Sequence, residues 1–414
     1  MSLPSLPRSS HRVLLADCDA MFCAVARMVD PEGAGKSPLL IVGGRRGSRG
    51  VVCSASYEAR AFGVRSAMPI AQAERLCPDA SFAPVPRSEC SQKSREVREV
   101  LKEWSPIVEQ ASVDEFYLGL DGTEALYRHE PLRETALRIR ADVQARTGLT
   151  VSIGGGTNRL IAKLAVEKAK PRVDGPGAGV YIVRAGEEAA FVAGLELRAI
   201  PGVGPRLTEA LRRKGLVRVE DALGIDREGL RAWLGPRTGD WLYDRMRGVG
   251  GSRVVGRTEA KSVSHETTFE ADIDSDDELG TILVRLTSAV CRDLRRSGLR
   301  ARTLTLKLRD QDFRTRNASR TLPVPVSSDR PILEVAQDLL RKLRGTRRVP
   351  VRLLGVGLSQ LTSADGPEQL GFFEEGGALE TERDRRLAET VDRIQGRFGT
   401  HSIRPGRLVK PSGE

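Results

Sequence analysis

The stretch VLLADCD at residues 13–19 constrains this chain most. Its apolar run, Val13 to Ala16, is too short for a helix and stops at Asp17, with Asp19 two positions further on. That is the pattern of a strand buried on both faces whose carboxyl end delivers acidic groups. A second run at 39–42 ends in the loop GGRRGSRG at 43–50 and reads the same way. Strands of this kind need helices on their faces, so an α/β body is expected. Residues 88–104 are charge-rich with sparse apolar positions and suit a surface helix, 107–120 alternate as a strand pair, and 132–147 return to helical periodicity. In GGGTNRLIAKLAVEKAK, residues 154–170, Thr157 is placed to cap a helix that Pro171 must end.

The Gly/Pro/Arg segment 171–179 looks like a boundary, and the residues after it read as short and helical. Residues 247–256, rich in glycine and polar, read as a flexible linker to an α+β module. In that module Leu304, Leu306 and Leu308 alternate with Thr303, Thr305, Lys307 and Arg309, and 351–361 resembles another core strand. One face of this sheet is expected to be basic and solvated. The tail from 362 contains Gly and Glu, then turns helical over 380–398, and no internal repeat is present.

At about 150 residues per domain, 414 residues suggest roughly three domains. The net charge of +11 is concentrated, since residues 285–320 hold eleven basic side chains against Asp293, Asp310 and Asp312. A polyanionic partner is therefore expected. No run approaches the ~18 apolar residues of a membrane span, and residues 1–12 lack a signal-peptide core, so a soluble, cytoplasmic protein is expected. The six cysteines show no CxxC spacing and the four histidines lie far apart, which argues against a zinc site and for reduced thiols.

Asp17 and Asp19 occupy alternate positions and could converge, and the adjacent Asp114 and Glu115 of SVDEFYLGL could complete an oxygen-rich cage from a neighbouring strand. Mg²⁺ needs such ligands, and two ions ~3.5–4 Å apart can clamp the attacking and leaving oxygens of a phosphoryl displacement. Alone, a DxD is more often a solvated strand end or a helix cap. Tyr57 and Arg60, three apart, and Lys163 and Lys170, seven apart, each share a helix face and could neutralise a triphosphate; the competing reading is ordinary surface charge. LRAIPGVGPRLTEALRRKGL has the form of a helix–hairpin–helix in which Gly202 and Gly204 let backbone N–H groups approach a nucleic-acid phosphate, with a plain packing turn as the alternative.

Taken in order, VLLADCDAMF, VVCSASYEARAFGVRSAMP, ASVDEFYL, GGTNRLIAKLAVEKAKP and AIPGVGP resemble the Y-family DNA polymerases, specifically the bacterial DinB or DNA polymerase IV type. The resemblance spans about residues 10–410. It implies a right-handed polymerase, α/β and α+β, with palm (10–20 and 87–177), fingers (21–86), helix–hairpin–helix thumb (178–246), linker (247–258), little finger (259–362) and C-terminal tail (363–414). By the same resemblance Asp17, Asp114 and Glu115 match the catalytic, metal-binding carboxylates, joined by the main-chain carbonyl of Cys18, for two Mg²⁺ ions. Phe22 matches the aromatic gate against a ribose 2′-OH, and Ser54, Tyr57, Arg60 and Lys170 match the dNTP contacts. Gly202, Gly204, Lys307 and Arg309 are the expected grip on primer–template DNA.

The chain departs from the family pattern at Gly119, where Asp is common and which reads as structural, and at Cys18 and Ala20, which replace larger residues. Asp19 matches a position usually acidic but not a principal ligand. Gln369, Leu370, Phe372 and Phe373 of QLGFF are similar to the peptide by which such polymerases engage the sliding clamp, with Phe373 in place of Leu. The function implied is low-fidelity, template-directed translesion synthesis by a monomer with no membrane association. A catalytically inactive, clamp-bound scaffold would have lost the carboxylates, and a palm-fold nucleotidyl cyclase would not need the helix–hairpin–helix, the basic module or the clamp-like peptide.

Overall fold

Strand β1 (Val13–Cys18) is buried along its whole length, as an apolar run without alternation requires of a central strand. In the computed structural model, which describes residues 11–172, 175, 177–256, 259–364, 379–400 and 402–408, β1 pairs antiparallel with β6 (Glu115–Gly119) and β7 (Val151–Gly156). Outside these lie β5 (Ile107–Gln110), antiparallel to β6, and β8 (Val180–Ile182), parallel to β7, giving the order β5-β6-β1-β7-β8.

Period-two alternation then sorts the side chains of β1. Leu14, Ala16 and Cys18 enter a core shared with helices α1 (Met21–Val29), α4 (Arg87–Trp104) and α5 (Leu132–Thr147). Val13 and Leu15 face the opposite way, against Ala162 and Val166 of α6 (Arg159–Ala169). Asp17 belongs to this second parity. Helix α6 crosses β7 so closely that a Cβ on Gly154 would lie 2.1 Å from the Val166 nitrogen. Its N-cap is Asn158, whose side chain accepts from the Ile161 N–H (3.0 Å), and not Thr157, which donates to Glu188 instead (2.6 Å).

A smaller sheet, ordered β3-β2-β4, is built from β2 (Leu40–Gly43), β3 (Val52–Ala55) and β4 (Ser81–Ala83). It packs with α2 (Tyr57–Ala61) and α3 (Ile70–Leu76) through Ile41, Ala59, Ile70 and Ala73. Next in the chain is a helical cluster of α7 (Glu188–Ala193), α8 (Pro205–Arg212), α9 (Val219–Ala222), α10 (Arg227–Leu234) and α11 (Pro236–Met246), packed around Leu211, Leu230, Leu242 and Met246.

One border and one linker expected from the sequence are corrected. The line at 177/178 cuts the larger sheet, because β8 completes it. Residues 247–256 are not a free linker. The Asn158 amide donates to the Gly248 carbonyl (2.9 Å), the Arg159 N–H to the Gly251 carbonyl (3.0 Å), and the Val255 N–H to Glu109 (2.9 Å). Val254 is buried with Val13, Leu15 and Tyr117, and its Cβ lies 3.4 Å from where a side chain on Gly119 would begin. Glu109 also takes both terminal nitrogens of Arg159 (2.9 and 2.7 Å), so one carboxylate ties β5, α6 and this strap together.

The chain divides into two compact units, Met1–Thr258 and Glu259–Glu414. The second is an antiparallel sheet of β9 (Ser262–Ile273), β10 (Leu299–Asp310), β11 (Thr315–Val326) and β12 (Val351–Ser363), in the order β11-β10-β12-β9. Leu304, Leu306 and Leu308 join α12 (Asp276–Arg296) and α13 (Asp329–Thr346) in one core. The opposite face is less basic than expected. Thr303 and Thr305 hydrogen-bond across to Thr321 and Ser319 (2.9 Å each), Lys307 is paired with Glu266 (2.8 Å), and Arg309 donates to Thr315 (3.0 Å). Arg316 and Arg320 sit in register with Leu308 and Leu304, so they lie on the helix-covered side, paired with Asp310 and Asp338. The last helix, α14 (Glu382–Phe398), is held to this unit by Arg330–Asp384 (2.6 Å) and Arg295–Asp392 (2.7 Å). Its residues are therefore part of the unit and not a tail. No described helix is long and apolar enough to cross a membrane.

Candidate active site

Within the first unit a cleft of about 660 Å³ opens at the carboxyl end of β1, and Asp17, Cys18, Asp114 and Glu115 line it. Strand register brings them together: Asp17 lies directly across from Glu115, and the Cys18 N–H donates to the Asp114 carbonyl (2.9 Å). The Cys18 side chain points into the core, where burial raises its thiol well above the usual range. Asp17 shares the α6-facing parity, and α6 answers with lysines. Lys170, which caps α6, lies 2.8 Å from Asp17; Lys163 lies 2.5 Å from Glu115 and 3.9 Å from Asp17. Burial pushes the Asp17 carboxyl up to about 6, although Lys170 and Lys163 pull it the other way. Burial opposes the charged form of Lys170, but Asp17 and Glu167 outweigh it and raise its pKa.

Asp19 is not among the residues that line the cleft. The strand ends at Cys18, Ala20 takes a left-handed conformation (φ 45°) to start α1, and Asp19 accepts a hydrogen bond from Ser152 instead (2.7 Å). Among the described residues no three His, Cys, Asp or Glu side chains form a ready metal cluster. Asp17 and Glu115 each face a lysine, and Ser112 donates to Asp114 (2.5 Å). The donor set nevertheless suits a hard divalent cation. It offers the carboxylate oxygens of Asp17, Asp114 and Glu115 on one open cleft.

The other wall comes from α1, β3 and α2. Phe22, the second residue of α1, is half-buried and lines the cleft. Ser54 of β3 is buried at its edge. Ser56 caps α2 by accepting from the Ala59 N–H (3.2 Å), which sets Tyr57 and Arg60 one turn apart. The Arg60 guanidinium lies 4.6 Å from the Tyr57 ring centroid and donates to the Ala55 carbonyl (2.9 Å). Burial and the charge of Asp19 push the Tyr57 hydroxyl up to about 12.

The cleft also takes Cys53, Arg65, Ser66 and Arg172, to which the sequence assigned no role. Arg65 and Ser66 were within reach, since they belong to the same GVRSAMP stretch; Arg172 was hidden in a segment read as a boundary. Elsewhere in this unit Gly202 has φ 101° and faces Trp241, where a Cβ would lie 2.7 Å from the ring, while Gly204 caps α8. Only a single 3-10 turn, Leu197–Ala199, stands in place of the first helix of the expected motif. Lys307 and Arg309 belong to the second unit. Gln369, Leu370, Phe372 and Phe373 lie outside the described residues.

Comparison with known proteins matches residues 16–167 to the impB/mucB/samB family and residues 260–372 to its C-terminal domain. Among solved structures, a Y-family DNA polymerase chimera aligns with a TM-score of 0.72 at 23% identity, covering 84% of this chain and 98% of the chimera. DinB from Sulfolobus solfataricus aligns with a TM-score of 0.57 at 24% identity over the same shares. The fold is therefore that of a Y-family polymerase. A DNA polymerase IV from Dehalococcoides mccartyi is 35% identical over 400 residues, 97% of this chain and 98% of the relative. One from Streptomyces coelicolor is 39% identical over 371 residues, covering 89% and 74%. The chain belongs to the DNA polymerase IV family.

Proposed function

We propose that the protein is a template-directed DNA polymerase that extends primers with low fidelity across damaged template. The observation that carries this reading is the cross-strand pair Asp17–Glu115, set with Asp114 at the mouth of a cleft whose other wall presents Tyr57, Arg60 and Lys170. Asp17, Asp114, Glu115 and the Cys18 carbonyl would hold two Mg²⁺ ions, which supply charge stabilisation as the primer 3′-hydroxyl displaces pyrophosphate.

The chain's own groups do the positioning. Arg60 and Lys170 bring cationic donors to a triphosphate, and the Tyr57 hydroxyl adds a neutral donor on the same wall. Phe22 gives the sugar a flat apolar floor with no space for a 2′-hydroxyl. The backbone at Gly202 and Gly204 and the hydroxyl-rich sheet face carrying Lys307 and Arg309 hold primer–template phosphates without reading sequence. The QLGFF peptide gives a sliding-clamp contact, and the protein acts as a cytoplasmic monomer. Retention of Asp17, Asp114 and Glu115 speaks against an inactive scaffold. Primer extension tests the reading: the purified protein with Mg²⁺ and dNTPs should extend a labelled primer on intact and lesion-bearing templates. No extension on either would overturn it.

A further inference from the structure

Lys163 does not line the cleft. It stands behind the carboxylates, on the second turn of α6, with its ammonium 2.5 Å from Glu115 and 3.9 Å from Asp17. Asp17 and Glu115 are direct cross-strand partners, and like charges set opposite one another on a sheet repel. Asp17 has a second cation in Lys170, which Glu115 does not share among its ion pairs within 4 Å. Lys163 is placed to satisfy Glu115 first and the pair second. Its side chain is about as exposed as that of Glu115, 25% against 26%.

We propose that Lys163 is a resident counter-cation of the metal-free site: it holds Glu115 beside Asp17 until a divalent ion arrives, then yields that carboxylate to the metal. Lys163 is thus a positioning residue that competes with the ion, and this rests on the reading of Asp17 and Glu115 as metal-holding residues. The competition has two consequences. Removing the ammonium leaves Glu115 without its lysine beside an Asp17 that keeps only Lys170, so the metal-free protein should be less stable. It also removes the metal's competitor, so the variant should bind the ion more tightly and recover stability when the ion is added.

The test uses the full chain and Mn²⁺ alone, without DNA or nucleotide, reading free ion by electron paramagnetic resonance and melting by circular dichroism. Lys163→Gln should lower the melting temperature in chelator, bind Mn²⁺ at least about tenfold more tightly than wild type, and regain most of the lost melting temperature at saturation. Lys163→Arg, which keeps the charge, should stay within about threefold of wild type in affinity. A second measurement needs no variant: acetylation of wild-type Lys163, followed by peptide mass spectrometry, should speed up as Mn²⁺ saturates the site.

Equal Mn²⁺ affinity in Lys163→Gln and wild type, weaker affinity in the variant, or Lys163 reactivity indifferent to Mn²⁺ would each overturn the proposal. Failure of the underlying reading looks different. In that case Asp17→Ala would bind Mn²⁺ as wild type does, or wild type would bind none.

Discussion

Adding one methyl group at Gly154 should dislodge the helix that carries the site's lysines. The Cβ of Gly154→Ala would sit 2.1 Å from the Val166 nitrogen, 2.3 Å from the Ala162 carbonyl oxygen and 2.7 Å from the Val166 Cα. All three are helix backbone, which cannot swing aside as a side chain can, so α6 must move by about 1 Å to reach van der Waals distance. Gly154 has ordinary backbone angles, so the steric effect stands alone. Overpacking a close-packed interior costs about 1–3 kcal/mol and occasionally more, and a backbone contact belongs at the top of that range. About 3 kcal/mol corresponds to roughly 6–12 °C in melting temperature for a unit of this size. Because Lys163 and Lys170 move with α6, misplacement by about 1 Å should also cost roughly a hundredfold in kcat/KM for dNTP. Circular-dichroism melting and single-nucleotide insertion measure both effects, with Gly224→Ala, whose Cβ meets nothing within 4 Å, as control. A Gly154→Ala protein melting within about 2 °C of wild type would refute the close approach of α6 to β7.

Glu109→Ala should strand the Arg159 guanidinium and the Val255 N–H together, costing about 2–3 kcal/mol given that Arg159 is one-third exposed; urea denaturation and faster proteolysis within 247–256 would show it, and unchanged cleavage would contradict the strap. Phe22→Ala should raise kcat/KM for rNTP relative to dNTP at least about tenfold, and an unchanged ratio would reduce Phe22 to core packing. Burial raises the Asp17 carboxyl from 3.8 to about 6, so the folded metal-free protein takes up a proton that the unfolded chain does not. That contribution to stability is present below about pH 4 and lost as pH rises through about 6. A metal must displace the same proton, so the Mg²⁺ concentration giving half-maximal insertion should climb up to about tenfold per unit below pH 6 and level off above it. A flat profile from pH 5 to 7 would contradict the assignment of Asp17.

Much of the site is legible in the sequence because it rides on local pattern. The run ending at Asp17 had to be a buried strand, and the alternation from Ile107 to Leu120 had to pair with something, so Asp17 and Glu115 could be expected on neighbouring strands. What stayed hidden depends on pairing between distant segments. Glu109, Arg159 and Val255 are separated by 50 and 146 positions, and glycine-rich sequence around Val255 gives no local sign that Val254 will enter a core. The basic stretch misled for a similar reason. Arg316 and Arg320 acquire their face from register with Leu308 and Leu304, which composition cannot supply. Thr157 and Asn158 are both good caps, and only the approach of Glu188 decides between them.

Single-nucleotide insertion by Asp114→Ala, measured beside its affinity for primer–template DNA, tests the central claim most directly. Asp114 lines the cleft but is half-exposed and donates nothing to the core, so its loss should leave the fold intact. The account predicts insertion reduced at least about a thousandfold with DNA affinity within about threefold of wild type. Insertion at a near wild-type rate, in a protein that binds DNA normally, would contradict it.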